Sequence, residues 1–128
     1  MATSIGLTPK TITAEDFLNV LITFIPFTYL AHWNTSRDVE HRAMETSQDE
    51  YPALLDVLIE AYQGKTDSRP KFVSAHITSG SIQTEITTLL RYIKAHRKEA
   101  LGEDSSLQNV VDEIVGHLNQ TLDRVRRQ

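Results

Sequence analysis

Glu40-His41-Arg42-Ala43-Met44-Glu45 and Leu55-Asp56-Val57-Leu58-Ile59-Glu60 are the two pieces of one stretch on whose reading the fold turns. Each piece carries a pair at i, i+4, His41 with Glu45 and Asp56 with Glu60, which a helix places on one face. Glu45 and Asp56 are eleven residues apart, close to three helical turns, so all four groups share one stripe. Counting about 100° per residue from His41 puts Glu45 near ~40°, Asp56 near ~60° and Glu60 near ~100°. Leu54, Leu55, Leu58 and Tyr62 fall between about 220° and 320° on the same wheel. The polar stripe therefore flanks the apolar face. Burying unpaired charge is expensive, so acids in that position are either solvated or lie at an interface.

Outward from this stretch the chain reads as helices. Thr13 is an N-cap before Ala14-Glu15-Asp16, and Leu18, Leu21, Ile22, Ile25 and Tyr29 recur at helical spacing toward Asn34. Pro26 is expected to kink this first helix, and His32 to share its inward side with Trp33 as packing. The second helix is expected from Ser36 to Tyr62, closed by Gln63-Gly64, with a bend or short break over Asp49 to Pro52. Lys65 to Ser81, with Pro70, His76 and Gly80, reads as a long connection with room for one short helix. A third helix is expected over Ile82 to Leu101, ended by Gly102. A fourth, capped by Asp104 or Ser105, carries Leu107, Val110, Val111, Ile114, Leu118, Leu122 and Val125. On this reading His117 lies on the polar face, and neither His76 nor His96 has a nameable partner.

Residues 1–128 thus form a single all-α domain. A long crossover between helices 2 and 3 favours a ferritin-like four-helix bundle over an up-down bundle with short loops. The absence of cysteine excludes disulfides, thiolate sites and a cysteine nucleophile. A net charge of −4 argues against nucleic acid as the main partner. Arg124, Arg126 and Arg127 suit a helix C-terminus better than a DNA grip. Met1 to Lys10 lacks a signal peptide's apolar core, and Phe17 to Ala31 is short and interrupted for a membrane span. The expectation is a cytoplasmic protein without a membrane anchor.

Histidine with carboxylate is a ligand set that iron, manganese and zinc accept. Ala31-His32-Trp33-Asn34, with the two pieces quoted above, resembles the miniferritins, the Dps-like branch of the ferritin superfamily. Glu60-Ala61-Tyr62-Gln63-Gly64 is also similar to small ferritin-like proteins of tailed phages and bacteria. The resemblance covers residues 17–64. It implies that His32, His41 and Glu45 of one subunit meet Asp56 and Glu60 of a two-fold mate in an inter-subunit ferroxidase site. There iron(II) would be oxidised by peroxide or oxygen. The chain departs from that family in its short link between His32 and His41, in Glu45 where aspartate is usual, in Pro52, and in lacking a lysine-rich N-terminal tail. The Glu-x-x-His motif of bundle-centre di-iron proteins is absent. The alternative is a non-enzymatic bundle used in assembly, as a phage virion structural protein among other virion proteins, its site vestigial or holding a structural metal.

Overall fold

Pro26 sets where the first helix breaks. The computed structural model describes residues 12–66 and 81–127. In it α1 spans Ala14–Ile22 and α2 spans Phe24–Asn34, joined through Thr23. A proline has no N–H for the carbonyl four residues back and its ring crowds that carbonyl. For Pro26 that residue is Ile22, the last of α1. The turn tightens accordingly: the Thr23 N–H donates to the Val20 carbonyl at 3.1 Å and its hydroxyl to the same oxygen at 2.6 Å. Tyr51 is fully buried, and its hydroxyl donates to the Leu21 carbonyl beside the break at 2.6 Å. The expected kink is thus a break.

Of the bend or short break expected over Asp49 to Pro52 in the next helix, the break does not occur. α3 runs unbroken over Asp38–Thr66, with Pro52 inside it. A mid-helix proline costs about 3 kcal/mol. Burial of Tyr51, Leu55 and Leu58 around it, at roughly 1.5–3 kcal/mol per large side chain, outweighs that. Gly64 does not close the helix either. A helical glycine costs only about 1 kcal/mol, and the last turn is held by the Thr66 hydroxyl on the Tyr62 carbonyl and by Lys65 against Asp104 at 3.2 Å. The helix starts at Asp38, two residues after the expected Ser36.

The remaining helices follow their expected bounds. α4 spans Ile82–Leu101, with Ser81 accepting from the Thr84 N–H, and ends at Gly102, whose φ of 73° and ψ of −160° only glycine adopts readily. α5 spans Ser105–Arg126, its first turn capped by the Asp104 carboxylate on the Leu107 N–H. Met1 to Lys10 and most of the Lys65 to Ser81 connection, with Pro70, His76 and Gly80, lie outside the described residues.

Counting α1 and α2 as one broken rod, four rods pack as a bundle around one core. Ile12 on Glu99 and Phe17 against Tyr92 set α1 antiparallel to α4. Tyr51 on Leu21 and His41 beside His32 set the first rod antiparallel to α3. Ser47 against His117, with Lys65 at Asp104, sets α5 antiparallel to α3. Arg97 on Gln108 and Asp112 joins α4 to α5. Phe17, Leu18, Leu21 and Phe24 supply the first rod's share of the core. Tyr29, expected inward, is instead exposed, because the break at Thr23 shifts the phase of the inward stripe onto Phe24, Phe27 and Thr28. By length and composition, Ala14–Asn34 is long and apolar enough to cross a membrane; Phe17, Leu18, Leu21, Phe24 and Phe27 of this segment are packed in the bundle, and Tyr29, Leu30 and Trp33 are exposed.

Candidate metal centre

A tight hairpin between α2 and α3 builds the site. The Thr35 hydroxyl donates to Glu40 at 3.0 Å, Arg37 reaches the same carboxylate at 3.3 Å, and the His41 N–H donates to the Arg37 carbonyl. His32, in the last turn of α2, and His41, in the first turn of α3, are thereby turned toward each other. Their Nε2 atoms lie 3.1 Å apart. Glu45, one turn along α3, brings Oε2 to 3.8 Å from His32 Nε2. The three ligand-type atoms all lie within 4.8 Å of one another.

This arrangement suits one divalent transition ion. Two imidazole nitrogens, each about 2.0–2.1 Å from a metal at octahedral to tetrahedral angles, stand roughly 2.8–3.4 Å apart. The observed 3.1 Å falls within that range. Without an ion, one ring must donate its hydrogen to the other. His32 Nδ1 is buried with no partner, so no second contact commits that ring to one tautomer. Glu45 adds charge at the rim, its side chain 62 % exposed.

Of the five sequence-derived ligands, the fold brings these three together. Asp56 and Glu60 are exposed on the outward side of α3, about 16 Å and about 22 Å along the helix from Glu45 at 1.5 Å per residue. They cannot reach the histidine pair of their own chain. Trp33, expected to pack, is 70 % exposed and touches Tyr29, with ring centroids 5.8 Å apart. With His32 aimed at α3, the next residue, about 100° further round, must leave the bundle. His96 does have a partner: its Nδ1 is 3.1 Å from Glu99, whose other oxygen accepts from the Ile12 N–H. Those two contacts hold the Glu99 carboxyl below its ordinary range.

One polar cluster escaped the sequence reading. His117 is buried between α3 and α5, 6 % exposed, and is not on a polar face. Its Nε2 meets the Ser47 hydroxyl at 3.0 Å, its Nδ1 lies 3.4 Å from Glu50, and Thr121 donates to its carbonyl. Burial holds its pKa below the usual histidine value, with Glu50 pulling the other way. The serine–histidine–glutamate order resembles a nucleophile with its base, but Ser47 is wholly buried within a helix and no substrate can reach it. The signal was available: His117 follows Ile114 by three residues and precedes Thr121 by four, on the edge of the inward stripe.

Fold and site together define an all-α bundle with a compact histidine–glutamate cluster at one helical hairpin. Residues 32–124 match the model of a family of unknown function (DUF5856), and the chain belongs to that family. No curated protein and no solved structure matches it.

Proposed function

We propose that the protein is a ferritin-like bundle that takes up iron(II) at His32, His41 and Glu45 and oxidises it there. A second copy would complete the site with Asp56 and Glu60. The 3.1 Å approach of the two Nε2 atoms carries this reading, because it is the spacing of two nitrogens on one ion. A ferritin-like bundle is supported by the packing: α3 and α4 both run antiparallel to the first rod and to α5, so they are parallel to each other, the relation that helices joined by a long crossover have in that bundle.

Iron is substrate and cargo in this reading. Two iron(II) ions give one electron each to a peroxide, which with two protons leaves as two waters. The residues have separable tasks. His32 and His41 hold the incoming ion, Glu45 favours the higher charge of the product, and the exposed acids of α3 draw cations toward the site. Manganese or zinc fits the same donors. A cytoplasmic setting, where iron(II) persists, suits the chemistry. Aerobic oxidation of iron(II) tests the claim: His41→Ala combined with Glu60→Ala should abolish the protein-dependent rate, and an unchanged rate overturns it.

The second reading is a non-enzymatic assembly or virion component holding a structural metal. The exposed Tyr29, Leu30 and Trp33 favour it, being an apolar surface suited to a permanent contact. A metal-loaded protein that oxidises no iron(II) would decide for it. DNA protection would need a basic surface, and the outward side of α3 is acidic.

A further inference from the structure

We infer that the α2–α3 face closes on a second copy of this chain only when a divalent ion occupies His32, His41 and Glu45, so that metal uptake gates self-association. The inference rests on the metal reading above and concerns what controls assembly.

Two features of this face pull in opposite directions. The exposed side of α2 carries Tyr29, Leu30 and Trp33, an apolar group that water does not favour. Beside it, the outward stripe of α3 carries Glu45, Asp49, Asp56 and Glu60, all exposed. Arg42, the cation nearest in sequence, is engaged by Asp38 at 3.3 Å. No ion pair to Asp49, Asp56 or Glu60 occurs among the described residues. In a two-fold contact the same patch meets itself. The two-fold that brings one copy's Asp56 and Glu60 to the other's histidine pair crosses α3 midway between Glu45 and Asp56, so each aromatic group is covered by the far half of the mate's α3, and each acidic stripe is brought against another. Like charges facing across an interface oppose association.

An ion at the histidine pair changes that balance. It adds positive charge where the two stripes approach. It also presents open coordination positions that its own chain cannot fill, because Asp56 and Glu60 lie too far along α3 from Glu45. A second copy presents those same carboxylates, and the site is incomplete without it. Ions should differ in effect. Imidazole donors select zinc, cobalt or iron(II) over magnesium, which prefers an oxygen shell and keeps its waters. Simple screening of acids by any divalent salt would show no such preference.

The test uses the full chain, stripped by a chelator, with zinc(II) as a redox-silent probe. Sedimentation gives the mass, metal analysis the stoichiometry, and the emission of Trp33, the sequence's one tryptophan, reports burial. We expect one copy after chelation, at least a doubling of mass with a blue-shifted emission on zinc(II), and no change with equal magnesium. His41→Gln should lose both zinc binding and the mass change. Trp33→Glu should retain zinc binding but stay at one copy. Zinc bound with the mass unchanged overturns gating and leaves the metal reading standing. An assembly that survives chelation, or forms equally with magnesium, also overturns gating. No zinc bound overturns both.

Discussion

His32 and His41 aim their Nε2 atoms at a common point from two different helices, 3.1 Å apart. One ring sits in the last turn of α2 and the other in the first turn of α3, so the hairpin fixes their separation. Replacing either removes a donor while leaving the core untouched, since neither ring is among the buried core residues. Losing even an outer-shell partner of a metal ligand costs about 10–100-fold in affinity. His41→Gln or His32→Gln is therefore expected to weaken zinc(II) or cobalt(II) binding by at least that factor. Competition against a chromophoric chelator measures it, and the urea midpoint of the metal-free protein should scarcely move. Equal affinity in the variants would remove the site.

Tyr51 ties α3 to the broken first rod through one hydrogen bond to Leu21. Its phenol is wholly buried, and burial drives its pKa far above the ordinary tyrosine range, so it stays a donor at any working pH. Tyr51→Phe keeps the ring against Phe24 but removes one of the two donors at the Leu21 carbonyl, the Thr23 N–H being the other, a loss of about 0.5–1.5 kcal/mol. Urea unfolding at neutral pH should show that loss as a lower midpoint. An unchanged midpoint would mean that the Thr23 N–H alone suffices for the Leu21 carbonyl.

The legible parts of the molecule were those governed by local chemistry. Caps at Thr13 and Asp104, and the stop at Gly102, need only neighbouring residues to act, and each is where the pattern put it. His41 with Glu45 was legible for the same reason, as a one-turn spacing on a single helix. What failed depended on distant packing. Pro52 and Gly64 are local breakers, yet α3 runs through both because the burial of Tyr51, Leu55 and Leu58 outweighs them. His117 looked polar because nothing nearby in sequence announces Ser47 or Glu50, which come from another helix. Trp33 and Tyr29 looked like core residues because aromatic type alone does not reveal which side of a phase-shifted helix faces outward.

Gly102 ends α4 with a backbone that a side chain does not tolerate. Its N–H donates to the Lys98 carbonyl at 2.8 Å while φ is +73°, and the position where a Cβ would project is open space. The cost of Gly102→Ala is therefore conformational, roughly 1–3 kcal/mol, with no clash to relieve. The same step leads into Asp104, whose carboxyl is held below its ordinary range first by the Leu107 N–H and then by Lys65. Thermal unfolding should show a lower midpoint for Gly102→Ala, whereas Gly64→Ala, in the last turn of α3 with open space around it, should raise the midpoint, the gain being a fraction of the ~1 kcal/mol that separates the two residues in helices.

His117 makes the junction of α3 and α5 sensitive to acid, and the direction follows from its surroundings. Burial disfavours the charged ring and Arg124 adds to that, while Glu50 favours the charge, with a net shift below the ordinary histidine value. The unfolded chain therefore takes up this proton first as pH falls. Protons bound in excess by the unfolded state lower stability as pH drops. The contribution is complete above the ordinary value of about 6.5, declines as pH falls from there through the depressed value of the folded ring, and changes no further below it. Neutral His117 accepts from the Ser47 hydroxyl; once charged it can only donate, so the Ser47 hydrogen must turn away. Urea midpoints between about pH 7.5 and 5 should fall more steeply for the native chain than for His117→Gln, which keeps a polar group at the junction but cannot titrate. Carboxylates titrating near the lower end are common to both proteins and cancel in the comparison. Parallel slopes would show that His117 takes up its proton at the same pH folded and unfolded, and the acid sensitivity would then have to arise elsewhere.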